Sequence, residues 1–324
     1  MEQLSTIRNR ISSELDEMNR IIVESLHTRN KMMDDVVCSY LEKKGKQIRP
    51  IMVILSAKMF GDVTPEVLYA GASLEMLHNA SLIHDDVVDE TELRRGVPTL
   101  NARMGNRIAV LVGDYFVSCA LACSLHTHST SAVASLSSLG KELSLGEIDQ
   151  ICNAREHHFD EKSYYDMIRQ KTASLFIHCV KMGAEMNGAN EEQIGHMIRF
   201  GELLGLCFQI KDDIFDYFDS KEIGKPTGND LREGKMTLPL LYALAHGPQE
   251  EAAELKEIIC GDDLTEEEIA RLIQFAKDNG GIEYAYERMR EMQQEAAVEL
   301  SHFSDSEAKQ SFLDIFEFII SRNH

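Results

Sequence analysis

Between Pro98 and Pro226 the chain has no proline, and this interval limits the possible folds more than any other feature. Proline removes a helical hydrogen bond and clashes with the preceding turn, so its absence leaves room for long uninterrupted helices. Apolar residues recur at i, i+3 and i+4 spacing throughout, and period-two alternation is rare over any length. The reading is all-α. The first helix shows the pattern: Leu4, Ile7, Ile11, Leu15, Met18, Ile22 and Leu26 make one apolar stripe on a charged background. Thr64 and Pro65 read as a cap and first helical residue, and Thr265 with Glu268 as a capping box. Ser163 to Asp166 reads as a further box, opening a helix that carries Lys171 and Thr172.

A length of 324 residues with 44% hydrophobic content supplies ample core. A single all-helical domain over residues 1–324 is the expected organisation. The formal charge of −21 argues against nucleic acid and anionic lipid as main partners, because both would be repelled. Seven cysteines without zinc spacing suggest reduced thiols in the cytoplasm. With neither a leader pattern nor about 18 consecutive uncharged apolar residues, no membrane span is expected.

Against this background two acidic clusters stand out. Asp85, Asp86 and Asp89 lie in LIHDDVVDETELRRGVPT, and Asp212, Asp213 and Asp216 in QIKDDIFD, both with i, i+1, i+4 spacing. On a helix the first and last members of each triplet stand one turn apart. Crowded carboxylates repel unless cations neutralise them, and oxygen-only ligands suit a hard ion such as Mg2+. Each triplet follows a strongly apolar run, where a solvated acidic face is not expected. Arg94 and Arg95 follow the first triplet and Lys221, Lys225 and Lys235 the second. Cations beside acidic clusters make sense if a polyanion bridges metal and base, and a diphosphate fits.

Lesser signals accompany the triplets. GKQIRP sets Lys46 and Arg49 in a turn bounded by Gly45 and Pro50, and His78 lies two turns before Asp85 on the same face. Glu147 and Gln150 stand one turn apart in LSLGEIDQ, placed to support metal-bound water or to hydrogen-bond neighbours. GKPTGNDLREGKMTLP after the second triplet is turn-rich and would serve as a lid. Nothing chemical marks the C-terminal tail.

The ordered set GKQIRP, EMLHNASLIHDDVVDETELRRGVPT, GDYF, GEIDQ, KTASLF, QIKDDIFD and GKPTGNDLREGKMTLP closely resembles the all-trans polyprenyl diphosphate synthases. That resemblance implies antiparallel helices around a central cavity, a homodimer, and two DDxxD motifs facing across the cavity mouth. It implies that Asp85, Asp86, Asp89, Asp212, Asp213 and Asp216 bind Mg2+, up to three ions, to hold an allylic diphosphate such as farnesyl diphosphate. Arg94, Lys171, Lys211, Lys225 and Lys235 complete that grip, and Lys46, Arg49, His78 and Arg95 match the positions that bind isopentenyl diphosphate. Thr172 and Gln209, inside two of the matched motifs, join the substrate-binding set. The catalytic set drawn from these is Asp85, Asp86, Asp89, Arg94, Lys171, Asp212, Asp213 and Lys225.

In this family a bulky aromatic four or five residues before the first motif stops growth at short products. Here Ser81 and Ala80 are small, and with Leu77 they are expected to set chain length. A product tail would run down to Leu74, about 16 Å along the helix at 1.5 Å per residue, with Tyr115 or Phe116 as a lower floor. This favours a long-chain product of about seven to ten isoprene units by analogy. The rivals are a farnesyl- or geranylgeranyl-type synthase and, from another class, a non-catalytic subunit of a heteromeric synthase. A purely structural helical protein leaves six inward-facing aspartates without a physical reason.

Overall fold

The computed structural model describes residues 2–41, 47–94, 96–156, 159–218, 227–261 and 264–322. Lys46, Arg95, Lys221 and Lys225 lie outside the described residues. The chain is all-α, its only described strands being β1 (Leu93–Arg94) and β2 (Val97–Pro98). The helices are α1 (Glu2–Arg10), α2 (Ser12–Leu26), α3 (Lys31–Leu41), α4 (Ile48–Lys58), α5 (Pro65–Val88), α6 (Leu100–Met104), α7 (Asn106–Ser124) and α8 (Thr130–Glu156). They continue as α9 (Glu161–Ile168), α10 (Ser174–Met186), α11 (Glu191–Phe215), α12 (Asn229–Arg232) and α13 (Leu238–His246). The last four are α14 (Gln249–Ile259), α15 (Glu266–Asp278), α16 (Gly281–Ser301) and α17 (Glu307–Ser321).

Two compact units share the chain. The first comprises Met1–Lys141, Leu175–Gly201 and Glu299–Ile315, and the second Glu142–Ser174, Glu202–Val298 and Phe316–His324.

In the first unit α5 is the central helix. Thr64 caps it, its side chain accepting from the Val67 amide, and Pro65 fills the first position where no N–H is needed. Helix α5 packs against α2, α4 and α7 and buries Val67, Ala70, Ala72, Leu74, Met76, Ala80 and Ile83. A side chain at Gly113 would meet the His84 ring at 2.2 Å, so this glycine of GDYF is what lets α7 approach α5. The N-terminal stripe is buried as its spacing predicts, but the helix breaks at Ile11, between α1 and α2.

By length and composition, Asn106–Thr127 is the one described stretch able to cross a membrane, and 39% of its apolar window is buried within the chain. It carries Arg107 and Asp114, which is why the uncharged-run criterion passes over it.

In the second unit α13 packs against α9, α14 and α15. Thr265 and Glu268 form the predicted capping box of α15. The cap of α9 differs from expectation: the N-cap is Asp160, not Ser163, and its carboxylate accepts from the Ser163 amide at 2.8 Å. Ser163 lies inside the helix rather than before it, and its Oγ donates to the same carboxylate.

Candidate active site

Each acidic triplet occupies its own unit. In the first, Asp85 is half-buried, Asp86 is 6% exposed and Asp89 is exposed. Asp89 ends α5, its amide donating to the Asp85 carbonyl at 2.8 Å. The chain then folds back through β1 and β2, pairing Arg94 with Val97. Gly96 turns this hairpin at φ +73°, a left-handed conformation that glycine adopts without strain.

The hairpin carries Arg94 back onto the triplet. Its Nε donates to Asp86 Oδ1 at 2.8 Å, and Nη2 reaches the same oxygen at 2.7 Å. Asn101 steadies the corner, donating to the Asp86 and Thr91 carbonyls. His78 is buried, and the half-buried Arg49 lays its guanidinium 5.8 Å from the centre of the Phe176 ring. Ser81, one turn from Asp85, is half-buried, Leu77 is 8% exposed and Ala80 is fully buried.

In the second unit the three aspartates meet three different environments. Asp212 accepts from Arg322 Nη2 at 2.6 Å, and the Arg322 guanidinium lies 4.4 Å from the centre of the Phe208 ring. The expectation that the tail carries no chemistry is therefore corrected: an arginine two residues before the C-terminus pairs with the triplet. Asp213 is 4% exposed and takes a hydrogen bond on each oxygen, from Gln209 Nε2 at 2.7 Å and Tyr164 Oη at 2.6 Å. Asp216 accepts the Asn229 and Asp230 amides at 3.0 and 2.9 Å, so its carboxylate anchors the turn that opens α12.

Burial pushes the Asp213 carboxyl up to about 8, with repulsion from Asp230 adding to the rise and the bonds from Tyr164 and Gln209 opposing it. The buried Tyr164 hydroxyl is likewise raised well above the usual phenol range, first by burial and then by the Asp213 charge.

Lys171 and Thr172 lie in a π-helical turn, Arg169–Ala173, between α9 and α10, a local widening that often accompanies function. Lys171 Nζ pairs with Glu147 at 2.5 Å and donates to Gln150 Oε1 at 3.0 Å. Glu147 and Gln150 thus have a shared partner, set by the close approach at Gly146, where a side chain would meet the Lys171 amide at 2.6 Å. Thr172 Oγ1 donates to Gln209 Oε1 at 2.7 Å, which joins two of the sequence-selected residues to Asp213. Lys235 pairs with Glu233. Lys211 is 3% exposed, its Nζ donating to Tyr286 Oη at 2.9 Å and lying over the Phe215 and Tyr286 rings.

Among the described residues no group of three His, Cys, Asp or Glu side chains is arranged to hold a metal unaided. An oxygen-only donor set of this kind still fits Mg2+, which keeps waters and is held through one or two carboxylates plus substrate phosphates. Cations resting on carboxylates beside such sites are what a diphosphate would need.

Residues 21–276 match the polyprenyl synthetase family. The chain belongs to that family. It is 31% identical to the octaprenyl diphosphate synthase of Haemophilus influenzae over 322 residues, 99% of this chain and 98% of that protein. Among solved structures it resembles a decaprenyl diphosphate synthase from Rhodobacter capsulatus, with TM-score 0.93, 29% identity and 99% of each chain covered. It also resembles a geranylgeranyl pyrophosphate synthase from Bacteroides thetaiotaomicron, with TM-score 0.86 and 38% identity over 99% of this chain and 100% of that one. The chain is accordingly an enzyme of the prenyltransferase class with the all-α fold of its relatives.

Sequence reasoning missed Tyr164, Asn101 and Arg322. Tyr164 lies 49 positions from its partner and Arg322 110 from its own.

Proposed function

We propose that the chain is a trans-polyprenyl diphosphate synthase condensing isopentenyl diphosphate head-to-tail onto an allylic diphosphate, with a product of about C35 to C50 by analogy with its relatives. The observation that carries this reading is that cations in both units rest on carboxylates beside the acidic triplets: Arg94 on Asp86, Lys171 on Glu147 and Arg322 on Asp212. In a chain of formal charge −21 such groups supply the local reversal of field that an anionic substrate requires.

Asp85, Asp86 and Asp89, with Asp212, Asp213 and Asp216, are the proposed Mg2+ ligands. Magnesium bound there would neutralise the diphosphate that departs. Arg94 and Lys171 exchange their carboxylate partners for its oxygens, with Thr172, Gln209, Lys225 and Lys235 supporting them. These donors stabilise the charge that grows as the allylic C–O bond ionises. Lys46, Arg49, His78 and Arg95 hold isopentenyl diphosphate, whose double bond attacks the allylic cation. The proton then lost passes to the released diphosphate. Lys211 belongs to the site only through the triplet's neighbourhood, its ammonium facing Tyr286.

Ser81, on the face of Asp85 and only half-buried, leaves room for a growing tail and supports the long product. A second reading, a geranylgeranyl-type synthase, is favoured by the fully buried Ala80 and by the 38% identity to such an enzyme. Mass spectrometry of products made from farnesyl diphosphate and isopentenyl diphosphate separates the two. A distribution peaking at about seven or more units supports the first, and arrest at about four supports the second.

We further propose a cytoplasmic homodimer without a membrane span. Val110, Leu111 and Leu121 of α7, with Leu125 just beyond it, are 40, 62, 42 and 64% exposed. A second copy is the proposed cover for this face, since Arg107 and Asp114 on the same helix disfavour lipid.

A further inference from the structure

We propose that Tyr164 is a positioning residue for the second aspartate triplet: with Gln209 it locks the Asp213 carboxylate in one orientation and aims its free lone pairs at the cation. This inference rests on the reading of Asp213 as a magnesium ligand and adds a residue outside the matched acidic motifs.

Two donors hold the carboxylate, and a third bond fixes one of those donors. Tyr164 is 3% exposed and sits on α9, a helix fixed at its start by the Asp160 cap. Its hydroxyl donates to Asp213 Oδ2 at 2.6 Å, and Gln209 Nε2 donates to Asp213 Oδ1 at 2.7 Å. The Gln209 amide is itself oriented, because Thr172 Oγ1 donates to its Oε1 at 2.7 Å. That bond fixes which end of the amide faces the aspartate.

A carboxylate offers about four lone-pair sites on two oxygens. One protein donor on each oxygen leaves one site on each, and rotation about the side-chain torsion would break both bonds. Asp213 is thereby presented already oriented, and the cation is spared the cost of ordering it. Groups of this kind behind a metal ligand typically change metal affinity by about 10- to 100-fold when removed.

The simpler account is that Tyr164 is a buried phenol whose hydroxyl has found an acceptor. Tyr165 provides the comparison, since it is the neighbouring tyrosine, its ring edge-to-face with Tyr164 at 5.5 Å, and its buried hydroxyl is away from the triplet's hydrogen bonds. Removing either hydroxyl deletes one buried phenol oxygen, but only the Tyr164 deletion takes a hydrogen bond from the triplet.

The test is Mn2+ binding, followed by electron paramagnetic resonance, to the full chain with a non-ionising thiolo analogue of farnesyl diphosphate, read beside the Mg2+ concentration for half-maximal activity. Tyr164→Phe is expected to weaken Mn2+ binding and to raise the half-saturating Mg2+ by about 10-fold or more, with the rate at saturating Mg2+ less affected. Tyr165→Phe is expected to match the wild type in both. Mn2+ bound equally well by wild type and Tyr164→Phe would overturn the proposal alone. A wild type that bound no Mn2+ would overturn the magnesium reading and the proposal together. Should Tyr164→Phe fail to fold, Thr172→Val, which loosens Gln209 on the other oxygen of the carboxylate, decides at analogue concentrations that saturate both proteins: weaker Mn2+ binding there upholds the locked geometry and unchanged binding overturns it.

Discussion

The raised Asp213 carboxyl makes the metal-free protein lose stability as pH rises, and the effect is large enough to measure. Burial moves this group from an ordinary value of 3.8 to about 8 in the folded chain. Between those two values the folded state keeps a proton that the unfolded state has released, so stability falls with increasing pH. Below that window both states are protonated, and above it both are ionised, so the dependence vanishes at either end. Each pH unit inside the window costs about 1.4 kcal/mol, which gives on the order of 5 kcal/mol across the whole of it. Between pH 6 and pH 8, with rounding near the folded value, the loss is about 2 kcal/mol. The assay is urea unfolding in EDTA for wild type and Asp213→Asn across that range. The substitution shifts all values by a constant, because it disturbs the bonds from Tyr164 and Gln209, but removes this pH dependence. Groups common to both proteins cancel in the comparison. Parallel pH profiles would refute the reasoning and mean that the buried carboxyl is solvated or already ionised.

Two further outcomes follow from the packing. Ser81→Phe fills the half-buried position one turn from Asp85 and shortens the product with condensation retained. Ala80→Tyr acts the same way if the tail also passes that side of α5, and liquid chromatography of the dephosphorylated products measures both. Leu111→Glu places a charge on the most exposed apolar residue of α7 and converts the proposed dimer to monomer, read by light scattering after size exclusion.

The all-α class was legible because helix periodicity and the missing prolines are local properties, and the acidic triplets were legible because their spacing is itself a helical statement. What could not be read was which distant group each carboxylate meets. Asp216 caps a turn 13 residues on, Asp213 is held by a tyrosine 49 positions away, and Asp212 by an arginine 110 away. No periodicity encodes such pairings, because they depend on how helices dock. The cap of α9 failed for a smaller reason: Ser163 and Asp160 are both good caps, and sequence alone does not rank a serine three residues inside against the aspartate before it. The break at Ile11 was hidden because the apolar stripe continues through it with its residues still buried.

The most direct test of the account is incubation of the purified chain with farnesyl diphosphate, isotopically labelled isopentenyl diphosphate and Mg2+, followed by mass spectrometry of the lipid products. The account predicts label in a ladder of prenyl diphosphates that grows by one isoprene unit at a time and disappears when EDTA is added. Absence of label from every lipid product with farnesyl or any shorter allylic primer, in protein shown to be folded, would contradict it.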